Sequence, residues 1–128
     1  MKLLFLISLC PLLFSCQKSY DNRSHVLSLL QNKWMVVSKN GDAFSYTGKP
    51  QDYYNFTASD TLYTYVDIIT DTAIYNLQND GDTLVVYLLR NGVQNPGLNF
   101  NIDNLSGSQL IISSHSNSSA NIVDSLKR

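Results

Sequence analysis

Leu98-Asn99-Phe100-Asn101-Ile102-Asp103 alternates apolar and polar side chains without a fault. A period of two puts the apolar set on one face and the polar set on the other, as in a half-buried antiparallel strand. Similar short runs recur: Lys33–Ser38, Tyr53–Thr57, Thr61–Val66, Ala73–Leu77, Gln109–Ser113 and a last one over Ala120–Leu126. Thr83–Leu89 is apolar on both faces and reads as a central, well-covered strand. Turn formers separate the runs at Ala58-Ser59-Asp60, Asn79-Asp80-Gly81-Asp82 and Ser106-Gly107-Ser108. The second is a strong hairpin signal, because Asp and Gly accept the positive φ that a tight turn needs. Residues 39–52 and 91–97 read as loops. Val26, Leu27, Leu29 and Leu30 have helical spacing and predict one short helix, capped by Asp21 or Ser24 and running to about Gln31. Seven or eight strands at roughly 8–12-residue spacing, joined by consecutive hairpins, predict an all-β, up-and-down antiparallel β-barrel with a short N-terminal helix.

The start of the chain follows a different pattern. Lys2 precedes an apolar run from Leu3 to Phe14 in which Ser8 is the single hydroxyl-bearing residue. At 1.5 Å per residue the run makes roughly 18 Å of helix, short of the ~20 residues a spanning helix takes. One positive charge before a short apolar run is the layout of a secretory signal. Its end, Leu13-Phe14-Ser15-Cys16, resembles the lipobox of bacterial lipoproteins, with Leu three before the cysteine and a small residue directly before it. The resemblance implies that residues 1–15 are removed and that Cys16 carries lipid. Cleavage after Ser8-Leu9-Cys10 is the competing site, but Pro11 would follow the cut and hinder it. Several acyl chains at ~0.8 kcal/mol per buried methylene give stable attachment where one chain is marginal. Residues 16–22 are then the lipidated cysteine and a short tether, and residues 23–128 the barrel domain, held close to a membrane surface. With Gln17 after the cysteine, no inner-membrane retention signal is present, and the resemblance implies the outer membrane.

Composition narrows the chemistry. The chain contains two cysteines; Cys10 leaves with the signal and Cys16 carries lipid, so the domain keeps no thiol for a disulfide, a zinc–sulfur site or an iron–sulfur cluster. No cofactor is expected. The core alone must stabilise the fold, and a domain of this length buries roughly 65% of its unfolded surface. Net charge is −1, one unit more negative once Lys2 is removed, and all ten acidic residues are Asp. No basic cluster is present to neutralise phosphates, which argues against nucleic acid as a partner.

The segment Leu30-Gln31-Asn32-Lys33-Trp34-Met35-Val36-Val37 resembles the opening of lipocalin-like domains, where a short helix leads into Gly-x-Trp at the start of the first strand. Tyr54-Asn55-Phe56, Tyr75-Asn76-Leu77, Gly81-Asp82-Thr83-Leu84, Phe100-Asn101-Ile102 and Leu110-Ile111-Ile112 continue the likeness to small lipocalin-like lipoproteins of the bacterial envelope. Two positions depart from it. Asn32 stands where the family has Gly, and Asn tolerates left-handed backbone better than most residues. The late Arg that packs over the Trp has no counterpart in sequence order, since Arg90 falls too early and Arg128 is terminal.

Two functional readings follow. In the first, the barrel binds a small apolar or amphipathic ligand, and Trp34, Tyr54, Tyr63, Tyr65, Tyr75 and Tyr87 are the candidate lining, since Tyr combines apolar area with a polar tip. In the second, the domain is a structural or interaction protein with no ligand cavity, whose exposed Tyr and Asn faces contact protein or glycan. The direction in which the tyrosines point separates the two. The bland account is that Trp34 closes the barrel core and that the tyrosines pack across strands. Asp67 with Asp71, and Asp80 with Asp82, could pair as carboxylates, but both pairs fall at expected turns; two carboxylates are also too few for a calcium site. His25 and His115 lie in polar surroundings, and no Gly-x-Ser-x-Gly elbow accompanies them. The expectation is a non-enzyme without a metal site.

Overall fold

The computed structural model describes residues 22–116 and 119–128, with backbone alone for 115, 116, 119 and 120. The expected signal, Cys16 and most of the tether lie outside the described residues, as does the side chain of His115. Helix α1 spans Asn22–Leu30, followed by β1 (Lys33–Asn40), β2 (Ser45–Thr47), β3 (Tyr53–Phe56), β4 (Thr61–Val66) and β5 (Ile69–Gln78). Then come β6 (Thr83–Arg90), β7 (Val93–Gln94), β8 (Leu98–Leu105), β9 (Gln109–Ser116) and β10 (Ser119–Lys127). Strands β1, β3, β4, β5, β6, β8, β9 and β10 pair in sequence order, all antiparallel, and β10 returns to pair with β1. The result is a closed eight-stranded up-and-down barrel. Closure leaves no long unpaired edge among these strands.

Most strands run longer than the sequence pattern predicts, but β4 matches it and β3 ends one residue early, at Phe56; two expected loops contain short strands. β2 extends the barrel wall beside the end of β1, pairing Ser38 with Thr47 and Asn40 with Ser45. β7 folds back on β6 through Arg90–Val93. Ladder pairing, invisible to a single-strand pattern, is what recruits these polar residues. Four chain reversals use the left-handed backbone: Asn79, Asp80 and Gly81 have positive φ at the β5–β6 turn, Asp67 and Ile68 at the β4–β5 turn, Asp60 at the β3–β4 turn, and Asn91 and Gly92 at the β6–β7 turn. At Gly81 a Cβ would lie 2.9 Å from the Val26 side chain, so the glycine also lets α1 seat on this turn.

A bulge in β1 sets up the interior. Val36 faces Leu126 and Ser38 faces Ser125, which leaves Val37 as the extra residue. A bulge shifts the in–out alternation by one. Trp34 and Val36 point inward, and beyond the bulge the inward residue is Lys39 rather than Ser38, as its pairing with the buried Asp124 requires. Gly48 crosses β1 here: its amide donates to the Val37 carbonyl at 2.8 Å, and a Cβ at this position would sit 1.9 Å from the Val36 carbonyl oxygen.

The helix end of the barrel is closed. Leu30 and Trp34 are fully buried, and the Trp34 indole N–H donates to the Leu30 carbonyl at 2.9 Å. That bond satisfies one of the orphan carbonyls at the end of α1. Two expectations are corrected here. Asn32 does not use left-handed backbone; its side-chain amide donates to the Leu29 carbonyl at 3.0 Å and caps the helix instead. An Arg does pack over Trp34, and it is the terminal Arg128, 5.8 Å from the ring. Sequence order hides it because closure of β10 on β1 brings residue 127 opposite Met35.

Candidate functional site

Above Trp34 the barrel is not filled. A cavity of about 750 Å³ occupies the lumen, within the roughly 300–1,000 Å³ of small-molecule sites. Its apolar wall comes from inward positions on successive strands, among them Phe56, Leu62, Leu84, Val86, Phe100 and Ile112. Ala73 sits on the same wall, and its small side chain leaves room in front of it. The end away from α1 opens to solvent between the β4–β5 turn and the 91–97 segment, where lining residues Asp67, Ile69 and Leu98 are exposed. Ile68 beside it is 79% exposed at φ 67°. A β-branched residue is an uncommon choice there, and such strain collects at functional openings.

Part of the lumen is polar. Lys39 on β1, Tyr54 on β3 and Asp124 on β10 come together on three adjacent strands. The Tyr54 hydroxyl donates to Asp124 Oδ2 at 2.7 Å, and Lys39 Nζ donates to the same oxygen at 3.2 Å and to the Tyr54 hydroxyl. Asp124 is 2% exposed. Its other oxygen, Oδ1, is buried and has no hydrogen-bond partner among the described residues. Burial, then the Asp124 charge and its hydrogen bond, push the Tyr54 phenol well above its usual pKa. Tyr54 is therefore neutral and a fixed donor at every physiological pH.

Of the six aromatic residues predicted to line a pocket, the structure brings only Tyr54 to the lumen. Trp34 lies beneath it as the floor of the core. Tyr75 faces inward but is buried below the cavity, edge-on to Phe56 at 5.2 Å, with its hydroxyl donating to the Thr57 carbonyl at 2.6 Å. Tyr63, Tyr65 and Tyr87 point outward. Tyr65 stacks on Tyr53 at 6.1 Å, with Lys33 Nζ 4.1 Å over the Tyr53 ring, and Tyr87 packs across Gly97. The physical reason is parity: neighbours in a strand point to opposite faces, so Tyr53 and Tyr54 cannot share a side, nor can Tyr63 and Leu62.

The two acidic pairs lie at opposite ends of the barrel, and Asp71 falls within β5 and not at the expected turn. Asp67 and Asp71 both line the opening, Asp67 paired with Lys49. Asp80 and Asp82 lie at the α1 end, where the Asp80 carbonyl accepts from Asn22 Nδ2 at 3.0 Å. His25 is on the exposed side of α1. Among the described residues no group of three or more His, Cys, Asp or Glu side chains is placed to hold a metal ion.

Sequence reasoning missed Lys39 and Asp124. Asp124 has a readable signal, a carboxylate at the inward position between Ile122 and Leu126. Lys39 has none, since only the bulge turns it inward. Asp52 was also missed. It is fully buried and ties the 41–52 segment to the mouth, accepting from the Tyr46 hydroxyl, the Lys49 amide at 2.7 Å and the Asp67 amide at 3.1 Å. Burial alone would raise its pKa, but these hydrogen bonds outweigh burial and hold the carboxyl below its usual value; Tyr46 in turn is pushed up to about 12, first by its bond to Asp52. A depressed carboxyl pKa contributes stability above the unfolded value of about 3.9 and loses it as pH falls through the folded value. Asp52→Asn is expected to cost about 2–3 kcal/mol at pH 7, because an amide offers one acceptor oxygen where the carboxylate offers two. Urea midpoints measured at pH 7 and below pH 4 check this: the gap between the two proteins should narrow in acid, and a pH-independent gap would contradict it.

A closed, up-and-down barrel with one short helix at its N-terminal side and a lumen open at the far end is a lipocalin-like fold. The structure is similar to the crystal structure of a lipocalin-like protein from Bacteroides uniformis ATCC 8492, with a TM-score of 0.58 and 18% sequence identity, over 77% of this chain and 97% of that one. At that identity the likeness speaks for the fold alone. No protein-family model matches the chain, and no curated protein matches it.

Proposed function

We propose that this protein is a lipid-anchored binding module that takes one small apolar or amphipathic molecule into its barrel. The observation that carries the reading is the lumen: about 750 Å³, apolar over most of its wall, open at one end and closed by Trp34 at the other. A core meant only for stability would be packed at crystal-like density. The competing reading, a face for protein or glycan, is less well supported, because the outward Tyr53 and Tyr65 are occupied with each other and with Lys33. The role is non-catalytic on this reading. Titrating the purified protein with the hydrophobic dye N-phenyl-1-naphthylamine tests it. Saturable, blue-shifted fluorescence at one dye per chain is expected; fluorescence no different from an unrelated protein would retire the lumen as a binding site.

The anchor is a separate part of the proposal. It rests on Leu13-Phe14-Ser15-Cys16 after the apolar run. We place the protein in the cell envelope, by preference at the outer membrane. Expressed in a bacterial host with labelled palmitate, the protein should take up label, and Cys16→Ser should lose it and leave the membrane fraction. Equal behaviour of the two would exclude Cys16 as the lipid site.

A further inference from the structure

We infer that the ligand presents a hydrogen-bond donor, a hydroxyl, amide N–H or ammonium, to Asp124 Oδ1, and that fatty-acid-like anions are poor ligands. The inference rests on the binding role proposed above and adds the chemistry of the head group. Asp124 lines the lumen and is 2% exposed, yet only Oδ2 is engaged, by Tyr54 at 2.7 Å and Lys39 at 3.2 Å. Oδ1 has less than 1 Å² of accessible surface and no partner among the described residues. A buried carboxylate oxygen left unpaired is costly. Asp124 lines the lumen and the carboxylate torsion is soft, so a turn of the carboxylate would expose Oδ1 to a bound molecule that donates to it. An acceptor-only head group cannot, and would also expel the water that could.

Charge points the same way. Among the described residues Lys39 is the one cationic side chain in the lining, and it is already committed to Asp124 and Tyr54, whereas Asp71, and Asp67 with its partner Lys49, also face the opening. The polar cluster lies toward the open end, since Lys39 and Asp124 pair near the end of β1 while Trp34 floors the other end. The bound molecule therefore enters tail first and leaves its head group at the level of Asp124.

Displacement of N-phenyl-1-naphthylamine by four ten-carbon amphiphiles separates the cases. Decan-1-ol and decylammonium donate; methyl decanoate and decanoate accept only. The donors are expected to bind at least ~10-fold tighter, about 1.4 kcal/mol per decade. Asp124→Asn sharpens the test. Lys39 and Tyr54 both donate, so the amide oxygen must take the Oδ2 place and the NH₂ group the free one, and the preference should shift toward methyl decanoate. Dye binding with no head-group preference in the unmutated protein would overturn this inference and leave the binding role standing. No dye binding at all would overturn both. The comparison in the unmutated protein decides the matter even where the variant fails to fold.

Discussion

Trp34→Ala is expected to cost about 3–5 kcal/mol, the usual range for removing a fully buried large aromatic, against a total stability of about 5–15 kcal/mol for a domain of this kind. Three losses combine at this position. The ring is fully buried, so its removal leaves a void under the lumen. The indole N–H no longer satisfies the Leu30 carbonyl, which detaches α1 from the barrel floor. Arg128 loses the ring it lies over, and with it part of the closure of β10 on β1. Trp34→Phe keeps most of the apolar area and loses mainly the hydrogen bond, for which about 1–2 kcal/mol is expected. Denaturant midpoints for the three proteins check the ordering. Equal midpoints for the Phe and Ala variants would mean that burial of the ring is not what holds this end together.

Filling the lumen should do the reverse, abolishing binding while sparing the fold. Ala73 and Val86 point into the cavity from adjacent strands, with Ala73 opposite Leu88 and Val86 opposite Tyr75. Overpacking costs about 1–3 kcal/mol where a core is already full, but here the added atoms enter open space. Ala73→Trp combined with Val86→Phe is expected to weaken dye binding by about 100-fold or more, a loss of about 2.7 kcal/mol, with a denaturation midpoint close to that of the unmutated protein. A filled variant that still binds at full strength would move the site elsewhere.

Much of the architecture is legible in residue order. Leu98 to Asp103 alternates so cleanly that strand, face and exposure follow from the pattern, and Asn79-Asp80-Gly81 announces its own positive-φ turn. Closure of the barrel is less legible, because it depends on residues at opposite ends of the domain. That is why Arg128 over Trp34 escapes a reading along the chain. The site is harder still. Tyrosine content draws attention to Tyr63, Tyr65 and Tyr87, yet strand parity sends all of them outward. The polar group that matters depends on a bulge at Val37, which carries no sequence mark and turns Lys39 inward to meet Asp124. Composition marks which residues have useful chemistry; the one-residue phase of each strand decides which of them face the ligand.

Methyl-detected NMR during titration with N-phenyl-1-naphthylamine tests the central claim most directly. The methyls of Leu62, Ala73, Leu84, Val86 and Ile112, spread over four strands but facing one cavity, should shift together and saturate at one dye per chain, while outward Val37 and Ile74 stay in place. Shifts confined to the outer face, or none among the lumen methyls, would contradict the account.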